Sequence, residues 1–593
     1  MTAPAGGPAP APAAHPARAP GPLRVRWLGR VAYRDALALQ HALHREAAGE
    51  HLVLLEHPSV YTLGLRGSLA SVLVPPGELD GELVRANRGG DVTWHGPGQL
   101  VGYPILSVPV GPGATPAYVG AVEQVVIDAL ADLGLPGTTR SPGYPGVWVG
   151  DRKICAVGVR LTRGRSMHGF ALNVDPDLSH FDAIVPCGIP DRGVTSLAVE
   201  GVAATMREVA DAVAARAAER WGAHGVERQD VAWRAPTEDL STLAGPRAAP
   251  FGMAPQADVA GAAPGVSGHP AGSPEVASPA AGVPVRLLGR LAAAGVDAST
   301  SVAPTERKPP WLRAPARMGA PFRELRRDLR ERRLTTVCEE AGCPNIFECW
   351  NAGTATFMLN GSRCTRACGF CLVDTQRPEP LDAGEPERVA EAVAAMGLEH
   401  AVLTAVARDD LADGGASAFA ASIEAVRRRR PGTAVEVLIP DCKGDPAALG
   451  TIFAARPDVV NHNLETVARL QRAVRPSASY ARSLAVLARA NAAGLTTKSG
   501  LILGMGETED EVLGALGDLR AVGVAIVTLG QYLRPTGAHL PVARWWHPEE
   551  FTRLAALGAA MGFAHVQASP LTRSSYHARD AAAAAEPAAD RGA

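Results

Sequence analysis

Apolar residues recur at intervals of three and four over positions 33–46 and 119–133, a spacing that predicts two amphipathic helices. Short apolar runs bounded by Gly and Pro, among them 51–55 and 146–149, predict strands in the same region. Residues 23–233 therefore read as an α/β or α+β domain. Beyond residue 385 the rhythm changes. Strand-like runs at 401–404, 434–439, 458–461, 496–504 and 525–529 alternate with helical patterns such as 386–396 and 507–521. Repeated strand–helix units of this kind predict a parallel sheet, either open and doubly wound or closed, wholly or partly, into a barrel.

Between the two patterned regions the chain turns to Ala, Pro, Gly and Ser, as in 262–270. Such a stretch buries too little apolar surface to offset its ordering entropy. The expected organisation is a disordered leader at 1–22, a first domain at 23–233, a flexible linker at 234–304, a second domain at 305–580 and a disordered tail at 581–593. As a coil, a linker of roughly 70 residues spans about 45 Å root-mean-square, enough for two domains to share a tethered substrate.

Length and charge narrow the function. A chain of 593 residues exceeds one ordinary core. The 58 Lys and Arg nearly balance the 60 Asp and Glu, and a net charge of -2 argues against a dedicated nucleic-acid partner. No uninterrupted apolar run reaches the roughly 18 residues of a membrane helix, so no membrane partner is expected. The first 34 residues lack acidic side chains and carry several Arg, but they are rich in Pro and Ala, poor in Ser and without an apolar core, which favours a leader over a targeting signal.

Six of the nine cysteines fall into two triads. The three left over, Cys155, Cys187 and Cys442, make a disulfide framework a poor account and the cytoplasm the natural compartment. Cys364, Cys368 and Cys371 stand at C-x3-C-x2-C spacing beside Gly369 and Phe370. Three thiolates so placed can hold three irons of a 4Fe-4S cluster and leave the fourth open to a substrate. A closed zinc site would need a fourth N or S ligand, and none stands nearby at finger spacing. Cys338, Cys343 and Cys349 form the upstream triad, pointing to a second cluster.

The downstream spacing resembles the signature of the radical S-adenosylmethionine enzymes, and the two triads in this order resemble lipoyl synthase. The resemblance runs from Lys308 to about Ala578 and includes the stretches 408–415, 461–466, 474–476 and 531–535. It implies a partial (β/α)6 barrel and two 4Fe-4S clusters. The Cys364/Cys368/Cys371 cluster would bind adenosylmethionine, with Gly504 and Glu507 against the cofactor. The Cys338/Cys343/Cys349 cluster would take Ser575 of Arg573-Ser-Ser-Tyr576 as its fourth ligand, with Ser574 the weaker choice, and would donate sulfur to the substrate. Cys442 follows Ile439-Pro-Asp441 where the family usually has an aromatic, and reads as a small buried hydrophobe.

In the first region, residues 88–99 form a Gly- and Pro-rich loop carrying Arg88 and His95, followed by 153–158, 168–173 and 184–189. From Leu23 to about Arg220 these stretches resemble lipoyl(octanoyl) transferase, which shares the biotin and lipoate protein ligase-like α+β fold. The resemblance implies Cys187 as nucleophile and Lys153 as its activator. It also implies a substrate site made of Arg88, Gly89, Gly90, Asp91, Val92, Thr93, Trp94 and His95, then Ala156, Val157 and Gly158, and then Gly169, Phe170 and Ala171. Amides of the first loop would stabilise an oxyanion. Cys155 is the rival thiol: two residues from Lys153, it would share a strand face with it, but the resemblance implies a packing residue there.

The combined expectation is a bifunctional enzyme of lipoate biosynthesis. Its first half would move octanoyl from octanoyl acyl carrier protein to a lysine of a lipoyl domain, in 2-oxoacid dehydrogenase subunits or the glycine-cleavage H protein. Its second half would insert sulfur at C6 and C8 with electrons from a ferredoxin- or flavodoxin-type protein. The alternatives are a ligase-like module that only binds carriers and an iron–sulfur sensor without turnover.

Overall fold

The computed structural model describes residues 21–233, 282–314, 318–351 and 356–585. The leader to residue 20, the linker at 234–281 and the tail from 586 lie outside the described residues.

The first half is built on an eight-stranded mixed sheet. Its order is Val226–Arg228, Leu23–Arg30, Glu50–Glu56, Gln99–Ile105, Arg165–Asn173, Arg152–Thr162, Tyr144–Val149 and Thr139–Ser141. Helices Ala114–Asp132 and Met206–Trp221 pack on one face and bury Val122, Val126, Val209 and Val213. A small second sheet, Glu82–Arg85, Val60–Leu63 and Val92–His95, carries the loop that follows Arg88.

The second half holds eight strands paired in chain order, from Thr335–Thr336 to His565–Ala568. All pairings are parallel except the first. From Thr356–Leu359 onward, strand and helix alternate through six repeats and end on a seventh strand. The sheet thus follows the expected (β/α)6 arc. Near the starts of its strands Lys498 pairs with Glu436 at 2.9 Å, both fully buried, while Cys364, Cys368 and Cys371 lie in the loop that follows the end of strand Thr356–Leu359.

The two halves share one hydrophobic core. Leu39 and Leu43 of helix Tyr33–Glu46 belong to the same buried cluster as Leu484 and Leu487 of helix Tyr480–Ala492. Beside them Arg26 Nε donates to Asp518 at 2.9 Å, and Tyr480 Oη donates to the same carboxylate at 2.9 Å. Pairing with Asp518 outweighs burial and raises the Arg26 pKa. Two further boundaries differ from expectation. Residues 285–293, expected within the linker, form a helix whose Leu287 and Leu291 enter the shared core, and residues 581–585, expected in the tail, finish helix Ala578–Ala585. Arg286, Gly289 and Arg290 interrupt the first apolar stripe, and the second is built of Ala alone.

Candidate functional sites

A cavity of about 490 Å³ opens in the first half. Strand Arg152–Thr162 supplies Lys153, Ala156, Val157 and Gly158, and strand Arg165–Asn173 supplies Gly169, Phe170 and Ala171. Arg88, Gly89, Gly90, Asp91, Thr93 and His95 close one side, and Cys187 stands in the wall with Lys153. Val92 and Trp94 do not line it. Strand alternation turns them toward Tyr61, Phe181 and Ile184, where both are buried.

Lys153 and Cys155 do not share a face either. The register opposite Val147 and Trp148 shifts by one residue, so a bulge at Ile154 breaks the alternation. Lys153 enters the cavity, its ammonium 4.8 Å over the Trp148 ring, with no carboxylate paired to it among the described residues. Cys155 enters the core, where burial pushes its thiol far above the usual range. Cys187 is half-buried at φ 57°, a left-handed conformation held by a 3-10 turn over Pro186–Gly188.

The polar lining is neutral apart from Lys153, two arginines and Asp91. His95 Nδ1 donates to Gln99 Oε1 at 2.8 Å and its Nε2 faces Thr62 Oγ1 at 3.3 Å. Burial is the first cause holding its pKa down to about 3; His168 is also held at about 3, and His57 behind them at about 4. The Arg88 guanidinium donates to the carbonyl oxygens of Thr62, Gly89 and Asp91, so it shapes the loop. Two loop amides are already used: Gly89 N–H donates to Val159 O and Val92 N–H to Asp91 Oδ1. Tyr33 and Tyr103 complete the lining, and the buried Tyr33 hydroxyl has no hydrogen-bond partner.

In the second half the thiols within each cysteine triad lie close enough to act on one another electrostatically. Burial is the leading cause raising the thiols, to about 12 for Cys349 and Cys371 and about 11 for Cys338, and neighbours within the same triad push further. Such mutual repulsion is what a cationic centre would relieve. Among the described residues no three His, Cys, Asp or Glu converge as a cage for one metal ion. A cluster instead takes its thiolate ligands on separate irons. The residues present therefore fit the group that their spacing implies.

The Arg573–Tyr576 segment folds back against the surroundings of the upstream triad and the 463–465 stretch. Thr356 Oγ1 donates to Ser575 Oγ at 2.9 Å, and Thr356 also hydrogen-bonds the Cys338 thiol. Ser574 instead accepts from Asn463 Nδ2 at 2.6 Å. Arg573 is buried with Cys343 and Glu465 as its charged neighbours, and Tyr576 Oη donates to Glu348 at 3.1 Å.

Residues 32–218 match the model of the lipoyl protein ligase A/B catalytic domain. Residues 296–343 match the N-terminal domain of lipoyl synthase, and 361–519 the radical SAM superfamily. The lipoyl synthase of Rubrobacter xylanophilus is 58% identical over 275 residues, 46% of this chain and 86% of the relative. That of Mycobacterium tuberculosis is 54% identical over 275 residues, 46% of this chain and 88% of the relative. The chain belongs to the lipoyl synthase family. Its first half adds a ligase/transferase catalytic domain, which makes the whole a bifunctional enzyme of protein lipoylation that uses adenosylmethionine and iron–sulfur chemistry. A putative lipoate protein ligase from T. acidophilum with bound lipoic acid superimposes with a TM-score of 0.30 at 19% identity, covering 35% of this chain and 88% of that one.

In the lipoyl synthase half, Gly504 and Glu507 are tied together by the protein's own hydrogen bonds. The Glu507 carboxylate accepts from the Gly504 and Met505 amides and from Trp546 Nε1, so both oxygens are occupied within the protein. Gly504, at φ +112°, has Gln531 Nε2 where a Cβ would stand. The unspent polar atoms lie in 461–466 instead. Asn463 Oδ1 and Glu465 Oε2 are buried without partners, and Glu465 is a charged neighbour of Cys368 and Cys371. That stretch carries the resemblance, but its spacing alone gives no hint of a site.

Proposed function

We propose that the first half moves an octanoyl group from octanoyl acyl carrier protein to a lipoyl-domain lysine, and that the second half inserts two sulfurs into that same chain. The observation that carries the first step is the separation of the thiols: Cys187 shares the cavity with Lys153, while Cys155 is sealed in the core. Lys153, unpaired with any carboxylate among the described residues, is free to take the Cys187 proton and later to return it. Cys187 Sγ then attacks the thioester carbonyl, the carrier thiol leaves, and the acyl-enzyme thioester is attacked by the incoming lysine amine. Neutral His95 and the apolar side of the cavity exclude competing water.

In the second half we propose Cys364, Cys368 and Cys371 as ligands of the adenosylmethionine-binding cluster, and Cys338, Cys343, Cys349 and Ser575 as ligands of an auxiliary one. When bound, these groups supply a carbon-centred radical at C6 and C8 and the sulfur that joins it. The protein's part is to hold both triads in partly buried positions, with the 573–576 segment against the upstream one. Lipoyl domains of 2-oxoacid dehydrogenases and the glycine-cleavage H protein are the proposed acceptors, a ferredoxin- or flavodoxin-type protein the proposed reductant, and the cytoplasm the proposed compartment. Intact-mass analysis with octanoyl acyl carrier protein tests the first step: an octanoyl adduct on Cys187 supports it, and an adduct on Cys155 overturns it.

A further inference from the structure

The two halves are joined by a chain of alternating charge that ends at a cluster ligand. Asp35 lies in the first turn of helix Tyr33–Glu46, two residues from the cavity-lining Tyr33, and is only 3% exposed. Its carboxylate points into the other half. Oδ1 stands 2.9 Å from Arg489 Nη1, and Oδ2 stands 3.3 Å from Arg482 Nε. Gly444, at φ +77°, makes room for it, since a Cβ there would come within 2.9 Å of Asp35 Oδ1.

Arg482 Nη1 in turn stands 3.7 Å from Asp441 Oδ2, a buried oxygen without a hydrogen-bond donor. Through its other oxygen Asp441 accepts from Arg366 Nη2 at 2.6 Å, and Arg366 forks onto Asp409 through Nε and Nη2 at 2.7 Å each. Arg366 lies inside the Cys364/Cys368/Cys371 loop, and its amide donates to Cys364 Sγ at 3.4 Å.

We infer that Asp35, a residue of the acyl-transferring half, is a positioning residue for the radical half: it holds Arg482 against Asp441, and Asp441 with Asp409 fixes the Arg366 amide on Cys364 Sγ. Arg489 also donates to Arg34 O, so it keeps a partner without Asp35. Arg482 is 26% exposed, and with Asp35 neutralised it is drawn toward water. The buried Asp441 oxygen then loses the cation that compensates it. Hydrogen bonds to cluster sulfurs tune cluster potentials, so the effect reaches the electronic state of the site. The inference goes beyond the proposed reactions; its exchange readout stands on protein contacts alone, and its spectroscopic readout rests on the proposed cluster at Cys364, Cys368 and Cys371.

The test uses full-length D35N and R482Q. Hydrogen–deuterium exchange is measured in the cluster-free protein, and the electron paramagnetic resonance spectrum after reconstitution and reduction. Exchange at residues 361–374 is expected to rise about tenfold in either variant, with no further rise in the double variant. The spectrum shifts while octanoyl transfer is unchanged. Parental exchange at 361–374 in both variants, a uniform rise across the whole chain, or an unaltered spectrum overturns the inference. Should D35N lose transfer through misfolding, R482Q, which leaves the first half intact, decides by the same readouts.

Discussion

Lys153 and Cys155 stand two residues apart on one strand and face opposite sides of it, because a bulge at Ile154 breaks the alternation. One position therefore serves chemistry and the other packing. C187A is expected to lower octanoyl transfer by at least about a thousandfold, while C155A retains transfer and loses only core packing. Single-turnover transfer assays check both, and loss in C155A at full stability would contradict the assignment.

Acid should loosen the first half. His95 and His168 are held to about 3 and His57 to about 4, chiefly by burial. A depressed folded-state pKa gives stability that is complete above the unfolded value of about 6.5 and is lost as pH falls toward the folded one. Between pH ~6.5 and ~4 each ring removes about 1.4 kcal/mol per pH unit. Denaturant midpoints measured across that window should fall steeply, and a flat profile would refute the neutral-imidazole lining.

The spacings of the two cysteine triads are local and legible in the sequence, Cys187 rests on a family resemblance, and hydrophobic periodicity marks five of the parallel strands. What the sequence missed depends on distant partners. The Ile154 bulge is set by Val147 and Trp148 on the neighbouring strand. Tyr33 enters the cavity from a helix over fifty residues before the Arg88 loop. The hydrogen bond that Glu507 accepts from Trp546, thirty-nine residues on, is likewise invisible in its local motif. The shared core between Leu39 and Leu487 left no trace in a reading that took the halves as tethered and separate.

Ser575 and Ser574 diverge by one peptide unit and by their partners, Thr356 and Asn463. S575A is expected to lower sulfur insertion strongly and reduce the iron retained at the upstream triad, while S574A keeps its iron. C343A should still cleave adenosylmethionine but form no lipoyl product. Iron counting with product mass checks all three, and lipoyl formation by C343A would contradict the auxiliary role.

The halves should unfold together. Arg26 and Asp518 are buried across the junction, and removing one partner of such a pair costs about 3–5 kcal/mol. R26A is expected to lower a single calorimetric transition. Two separate transitions in the parent would show that the junction does not couple the halves.

The most direct measurement is anaerobic intact-mass analysis of one apo lipoyl domain incubated with octanoyl acyl carrier protein, adenosylmethionine, a reductant and the reconstituted protein. The account predicts an octanoylated carrier first and a lipoylated carrier from it afterwards. A carrier that remains unmodified, or one octanoylated only when ATP and free octanoate are supplied, would contradict it.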